Sequence, residues 1–170
     1  MLEFGTENEE VNEYSSLAPF VISIDDGPDN SLRIVIALPK NIPVTEDSIT
    51  DIPKLKDILS DASQVIEDEE RLYEIRFESY ILYQCRNESY AMSHPSDVVK
   101  GRHLVILENS LLLGYCKDAV LDIDLDSYPE KSQRIHYGIY AENHTIDVIS
   151  YEPPIIQRLD PDDVRREQIS

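Results

Sequence analysis

Two residues in this chain combine into a minimal oriented base. His136 lies on the alternating run Ile135-His136-Tyr137-Gly138-Ile139-Tyr140, and Asp147 lies within Ile146-Asp147-Val148. If the chain turns at Glu142-Asn143, where Asn tolerates a left-handed backbone, the two approach diagonally across a hairpin. An imidazole held by a carboxylate is the smallest arrangement that abstracts a proton near neutral pH. Tyr140 falls on the same face, so His136, Tyr140 and Asp147 form a candidate ligand site. No nucleophile accompanies them in a recognisable motif: GxSxG is absent, and Cys85, on the apolar face of a strand, reads as a buried structural thiol. No catalytic residue is assigned.

Metal and cofactor chemistry find less support. Asp122-x-Asp124-x-Asp126 resembles the opening of a calcium loop, but Ser127 and Gln133 stand where that loop needs Gly and a bidentate Glu. On a strand, the three carboxylates project from one face at roughly 7 Å spacing. They suit a charged edge that resists aggregation, a surface for lysines of a partner, or a bound cation. The four histidines form neither HxH nor HExxH, and the five glycines are scattered singly, without a phosphate-binding loop. No metal and no cofactor is expected.

Charge is the extreme feature. There are 34 acidic and 15 basic residues, a formal charge of -19. Such a polyanion repels nucleic acid and anionic lipid, and its field steers basic partners toward it. The acids are unevenly placed. Residues 1–30 hold eight and no base; residues 46–70 hold nine against Lys54 and Lys56; residues 71–104 are nearly balanced. An acidic partner surface would use Asp57, Asp61 and Glu67, then Asp122, Asp124 and Asp126, with Tyr80 and Tyr90 as aromatic anchors. No apolar run reaches the length of a membrane span, and the acidic N-terminus lacks a basic n-region. Cys85 and Cys116 form no CxxC pair. A cytoplasmic setting with free thiols is expected.

The elements that must position these groups follow from periodicity. Residues 1–16 read as a flexible or loosely docked acidic arm, 17–160 as one domain and 161–170 as a charged tail. Phe20–Ile24 and Leu32–Leu38 form a hairpin around the turn-rich Asp25–Asn30, closed by Pro39 and Pro43. Ile52, Leu55, Ile58, Leu59, Ala62 and Ile66 make one stripe at helical spacing. Leu72–Arg86 alternates over 15 residues, long enough to bend or be shared between two sheet regions. His103–Leu107 is a short strand, Asn109 caps a second helix carrying Leu112, Tyr115, Cys116 and Ala119, Val120–Leu125 reads as a strand, and residues 134–150 form the second hairpin. Pro153-Pro154 stops the sheet. The sum is an α+β fold: an antiparallel or mixed sheet of six or seven strands with two helices packed on it.

The stretches Phe77–Tyr90 and His136–Ser150 look like segments of uncharacterised small acidic bacterial proteins. The chain as a whole resembles, in style, the acidic α+β immunity proteins that neutralise secreted bacterial toxins. That resemblance implies a cytoplasmic, non-enzymatic protein-binding module that docks onto a basic protein such as a nuclease toxin. The alternative is a small enzyme or ligand-binding domain centred on residues 134–150. A DNA mimic is a further alternative, although it needs extended rows of acids that this clustered distribution does not supply.

Overall fold

The computed structural model describes residues 2–8, 17–43, 63–120 and 133–162. Among these residues, nine strands form two antiparallel sheets: β1 (Phe20–Asp26), β2 (Leu32–Pro43), β3 (Ser63–Phe77) and β9 (Ile155–Arg158) in the order β1-β2-β3-β9, and β4 (Leu82–Asn87), β8 (His144–Ser150), β7 (Ile135–Tyr140), β6 (Leu104–Glu108) and β5 (Val98–Lys100) in the order β4-β8-β7-β6-β5. Among the described residues one α-helix, α1 (Leu111–Ala119), accompanies them. The fold is therefore mostly β, and the expected α+β arrangement of two helices on one sheet is incorrect.

The inward faces of the two sheets share one apolar core. Leu32, Ile34, Ile36 and Leu38 of β2 and Ile75 and Phe77 of β3 meet Tyr137 and Ile139 of β7 and Ile146 and Val148 of β8. This is the expected packing of two alternating faces, each burying every second residue. The segment read as an arm contributes Leu2 and Phe4 to that core. Phe4 bridges the sheets, with its ring centroid 6.4 Å from Phe77 and 5.1 Å from Tyr137 in edge-on contacts. Its approach requires glycine. Gly5 (φ 79°) and Gly101 (φ 83°) touch so closely that a Cβ on Gly101 would lie 2.6 Å from the Gly5 carbonyl carbon.

Several element boundaries differ from expectation, each through a long-range partner. The helical stripe ending at Ile66 runs instead into β3, because Ser63–Ile66 pair with Lys40–Pro43; its earlier part lies outside the described residues. Pro39 does not close the first hairpin: it sits at a shift in the β2–β3 register, where its missing N–H costs no ladder bond, and Arg71 Nη2 donates to its carbonyl at 2.6 Å. The long alternation splits at residues 78–81. Its first part ends in β3, and its second becomes β4 of the other sheet. The strand β5 falls between Arg86 and His103, where the sequence pattern assigns no element, and β9 follows Pro153-Pro154 and pairs with β3. Val120 caps the end of α1, and the strand expected beyond it lies outside the described residues.

Candidate functional site

The hairpin β7–β8 positions the site. Its register pairs Ile139 with Ile146 and Tyr137 with Val148, which sends those side chains into the core. Alternation then puts His136, Gly138 and Tyr140, with Thr145, Asp147 and Ile149, on the opposite face. His136 and Asp147 are offset by two residues across the pair, since Gly138 stands opposite Asp147. The diagonal closes: His136 Nε2 lies 2.9 Å from Asp147 Oδ1, and both residues are almost fully buried.

Two further side chains, both from β4, complete the network around Asp147. Gln84, directly opposite Asp147, donates from Nε2 to Oδ2 at 2.9 Å. Arg86, two residues along the strand, donates from Nη2 to the same oxygen at 2.8 Å. Burial works against the ionised form of Asp147, but the hydrogen bonds from His136 and Gln84 and the Arg86 charge outweigh it, so its carboxyl is held below the ordinary carboxylate value. Burial, assisted by the negative charge of Asp147, pushes the Tyr140 hydroxyl up.

Another member comes from the end of β6. The strand stops at Glu108, Asn109 takes a left-handed turn (φ 56°), and Ser110 caps α1 by accepting from Leu113 N at 3.1 Å. Ser110 is thus the cap in place of the expected Asn109. Its Oγ lies 2.7 Å from His136 Nδ1. An ionised Asp147 only accepts, so Nε2 carries the proton; Nδ1 of the neutral ring then accepts, and the serine hydroxyl donates. The resulting order is Ser110 O–H to His136 to Asp147.

These groups form the floor of a cavity of about 460 Å³ on the outer face of the five-stranded sheet. Met92, Leu111 and Tyr115 line its mouth and are among the exposed large apolar side chains, at 85%, 60% and 55%. His94 and Asp97 line one wall from the loop before β5. Among the described residues, no cluster of His, Cys, Asp and Glu is arranged to hold a metal.

The remaining candidates are dispersed. Tyr80 is half-buried, its hydroxyl donating to Asp26 at 3.0 Å and its ring edge-on to Tyr83. Glu67 is exposed on β3 opposite Pro39, in a strand and not at a helix end. Tyr90 is 85% exposed, in the short turn after β4. Asp57, Asp61, Asp122, Asp124 and Asp126 lie outside the described residues. Cys85 is exposed on the edge strand β4, which overturns its reading as a buried thiol, while Cys116 is the buried residue of α1; both are free. No described helix is long and apolar enough to cross a membrane.

Sequence reasoning finds His136, Tyr140 and Asp147 but misses Ser110, Gln84 and Arg86. A signal exists for the last two, which occupy the polar face of the long alternation. For Ser110 it is weaker: a good capping residue immediately before Leu111. No protein-family model matches the chain, and neither a curated protein nor a solved structure shows significant similarity to it.

Proposed function

We propose that this chain is a ligand-binding domain whose site is the cavity on the outer face of the five-stranded sheet. One observation carries the reading: buried Ser110, His136 and Asp147, joined by half-buried Gln84 and Arg86, form the floor of a cavity large enough for a small molecule. Concave sites with a few convergent polar groups and apolar walls are where proteins hold small ligands. Arg86 matches the Asp147 charge, so the floor suits a polar but uncharged group, and the apolar mouth suits a hydrocarbon or aromatic portion. The test is a fragment screen on isotopically labelled protein, reading the amide resonances of Leu111, Gly138 and Thr145. Fragments that shift these resonances, and cease to when Ala91→Trp obstructs the wall, support the reading. A folded protein whose pocket resonances no fragment moves sinks it.

A protein-binding module is a second reading, favoured by exposed apolar residues. Tyr90, Met92, Val98, Val99, Leu111 and Tyr115 all come from residues 90–115 and are 42–85% exposed. Apolar anchors of this size typify recognition surfaces, and the charge of -19 would steer a basic protein, such as the toxin of an immunity pair, toward them. A purified basic partner whose binding weakens with salt, and is lost when Tyr90, Met92 and Tyr115 become Ser, supports it. Binding indifferent to those substitutions removes this surface.

A further inference from the structure

We infer that the cavity is the active site of an acyl-transfer enzyme, with Ser110 as nucleophile and neutral esters or thioesters as substrates. The inference rests on the pocket being a ligand site and adds a reaction to it.

Three independent features converge. The first is the hydrogen-bonded order of Ser110, His136 and Asp147, at 2.7 and 2.9 Å, within the reach a nucleophile and its base require. The second is the local backbone: β6, a left-handed Asn109, then Ser110 at the start of a nine-residue helix. A sharp strand-to-helix turn presents a serine hydroxyl at the edge of a sheet. The third is the helix itself. Its first-turn amides, Leu111 N–H and Leu112 N–H, have no intrahelical acceptor and carry the positive end of the helix dipole. Leu111 and Leu112 line the cavity next to Ser110, so these amides are the donors nearest in sequence to the place where an oxyanion would form.

The chemistry balances with water alone. As Ser110 Oγ bonds to the acyl carbon, its proton passes to His136 Nδ1 and the carbonyl π electrons move to oxygen. Collapse of this adduct breaks the bond to the leaving alcohol or thiol, which takes the proton from His136. Water then attacks the acyl-serine, gives a proton to His136, and releases the acid as Ser110 recovers its hydrogen. Ser110 and His136 are catalytic residues; Asp147 is a positioning residue that fixes the ring and its proton on Nε2. The apolar mouth formed by Met92, Leu111 and Tyr115 selects an acyl group with a hydrocarbon or aromatic portion.

The experiment uses the full chain with a fluorophosphonate probe and p-nitrophenyl butyrate. Because Ser110 also caps α1, the variant is Ser110→Asn, which keeps a side-chain acceptor for Leu113 N–H. We expect one phosphonyl adduct, mapped by mass spectrometry to Ser110, and ester hydrolysis that falls by about a thousandfold in the variant. Asp147→Asn should slow turnover with little change in KM and abolish the downfield imidazole N–H resonance of His136. An adduct elsewhere, or no adduct and no turnover above the uncatalysed rate in folded protein, overturns the proposal. If fragments still bind the pocket in that case, the ligand-site reading survives; if they do not, both fall.

Discussion

The outer faces of the two sheets carry the same device in two versions. In the four-stranded sheet, Glu74 on β3 accepts from Gln157, directly opposite on the edge strand β9, at 3.0 Å, and from Arg33, diagonally placed on β2, at 2.5 Å. In the five-stranded sheet, Asp147 on β8 accepts from Gln84, directly opposite on the edge strand β4, and from His136, diagonally placed on β7. Each carboxylate sits on a penultimate strand between an edge glutamine and an inner basic group. The difference is the inner group. Arg33 stays protonated in any accessible pH range, so its pair with Glu74 only fixes geometry. An imidazole, unlike a guanidinium, can take up or release a proton near neutral pH, and His136 also meets Ser110 through its other nitrogen and borders a cavity. A cross-strand ion pair thus becomes a candidate reactive centre when arginine gives way to histidine and room is left above it.

The largest expected effect separates the two carboxylates. Asp147→Ala leaves His136, Gln84 and the Arg86 guanidinium without their acceptor at an almost fully buried position, and should cost about 3–5 kcal/mol. Glu74→Ala lets the Arg33 side chain, already 27% exposed, turn to water or to Asp25 at 3.5 Å, and should cost about 1–3 kcal/mol. Urea denaturation of both variants measures the difference; equal losses would mean that the two networks are equivalent structural ties.

Space above the network is the next point of contrast. Opposite Glu74 stands Val35, while opposite Asp147 stands Gly138. A Cβ on Gly138 would lie 2.7 Å from Val105 Cγ2 and 3.0 Å from Leu107 Cδ1. Gly138→Ala should therefore destabilise by about 1–3 kcal/mol through overpacking and displace the His136–Tyr140 face. A crystal structure of this variant with Val105 and the pocket floor unmoved, together with an unchanged denaturation midpoint, would refute it.

The pH dependence of stability sharpens the same comparison. The folded-state pKa of Asp147 is lowered from its ordinary value of 3.8. Its contribution is therefore complete above that ordinary value and is lost as pH falls through the lower, folded one. Asp68, which Arg71 and Lys40 hold ionised against its burial, acts in the same direction in the other sheet. Asp147→Asn should flatten the acid limb of the stability curve while leaving the Asp68 share in place. An acid limb unchanged by the substitution would show that Asp147 titrates normally.

Much of this contrast is legible in the sequence, and what divides the legible part from the rest is physical. His136 and Asp147 belong to one hairpin with a short turn, so alternation and turn chemistry fix their diagonal. The β1–β2 hairpin is legible for the same reason. Ser110 reaches His136 only because β6 pairs with β7 across residues 109–134, and no local pattern specifies that pairing. Gln84 and Arg86 stand on the polar face of an alternating run, yet that run divides between two sheets, so its second half meets β8 instead of continuing beside β2. Ile66, the last residue of the helical stripe, lies in a strand for a similar reason: the waiting edge of β2 overrides a local period there.

The smallest expected effect concerns the two edge glutamines, and it tests whether the parallel extends to energetics. Gln157 is exposed and bonds to one oxygen of Glu74, whose other oxygen keeps Arg33. Gln84 is half-buried and shares Asp147 Oδ2 with Arg86. Removing Gln157 exposes Glu74 Oε1 to water that replaces the lost donor, so Gln157→Ala should cost a few tenths of a kcal/mol, about what a solvent-facing substitution costs. Removing Gln84 withdraws one of three donors from a carboxylate that water barely reaches, so Gln84→Ala should cost about 1 kcal/mol. It should also loosen the His136 ring, because Asp147 would be free to rotate toward Arg86. Denaturation midpoints give the energies, and the line width of the His136 imidazole N–H resonance gives the rotation. If Gln157 proves as costly as Gln84, burial is not what distinguishes the two carboxylates, and the special character of the second site would reside in His136 and Ser110 alone.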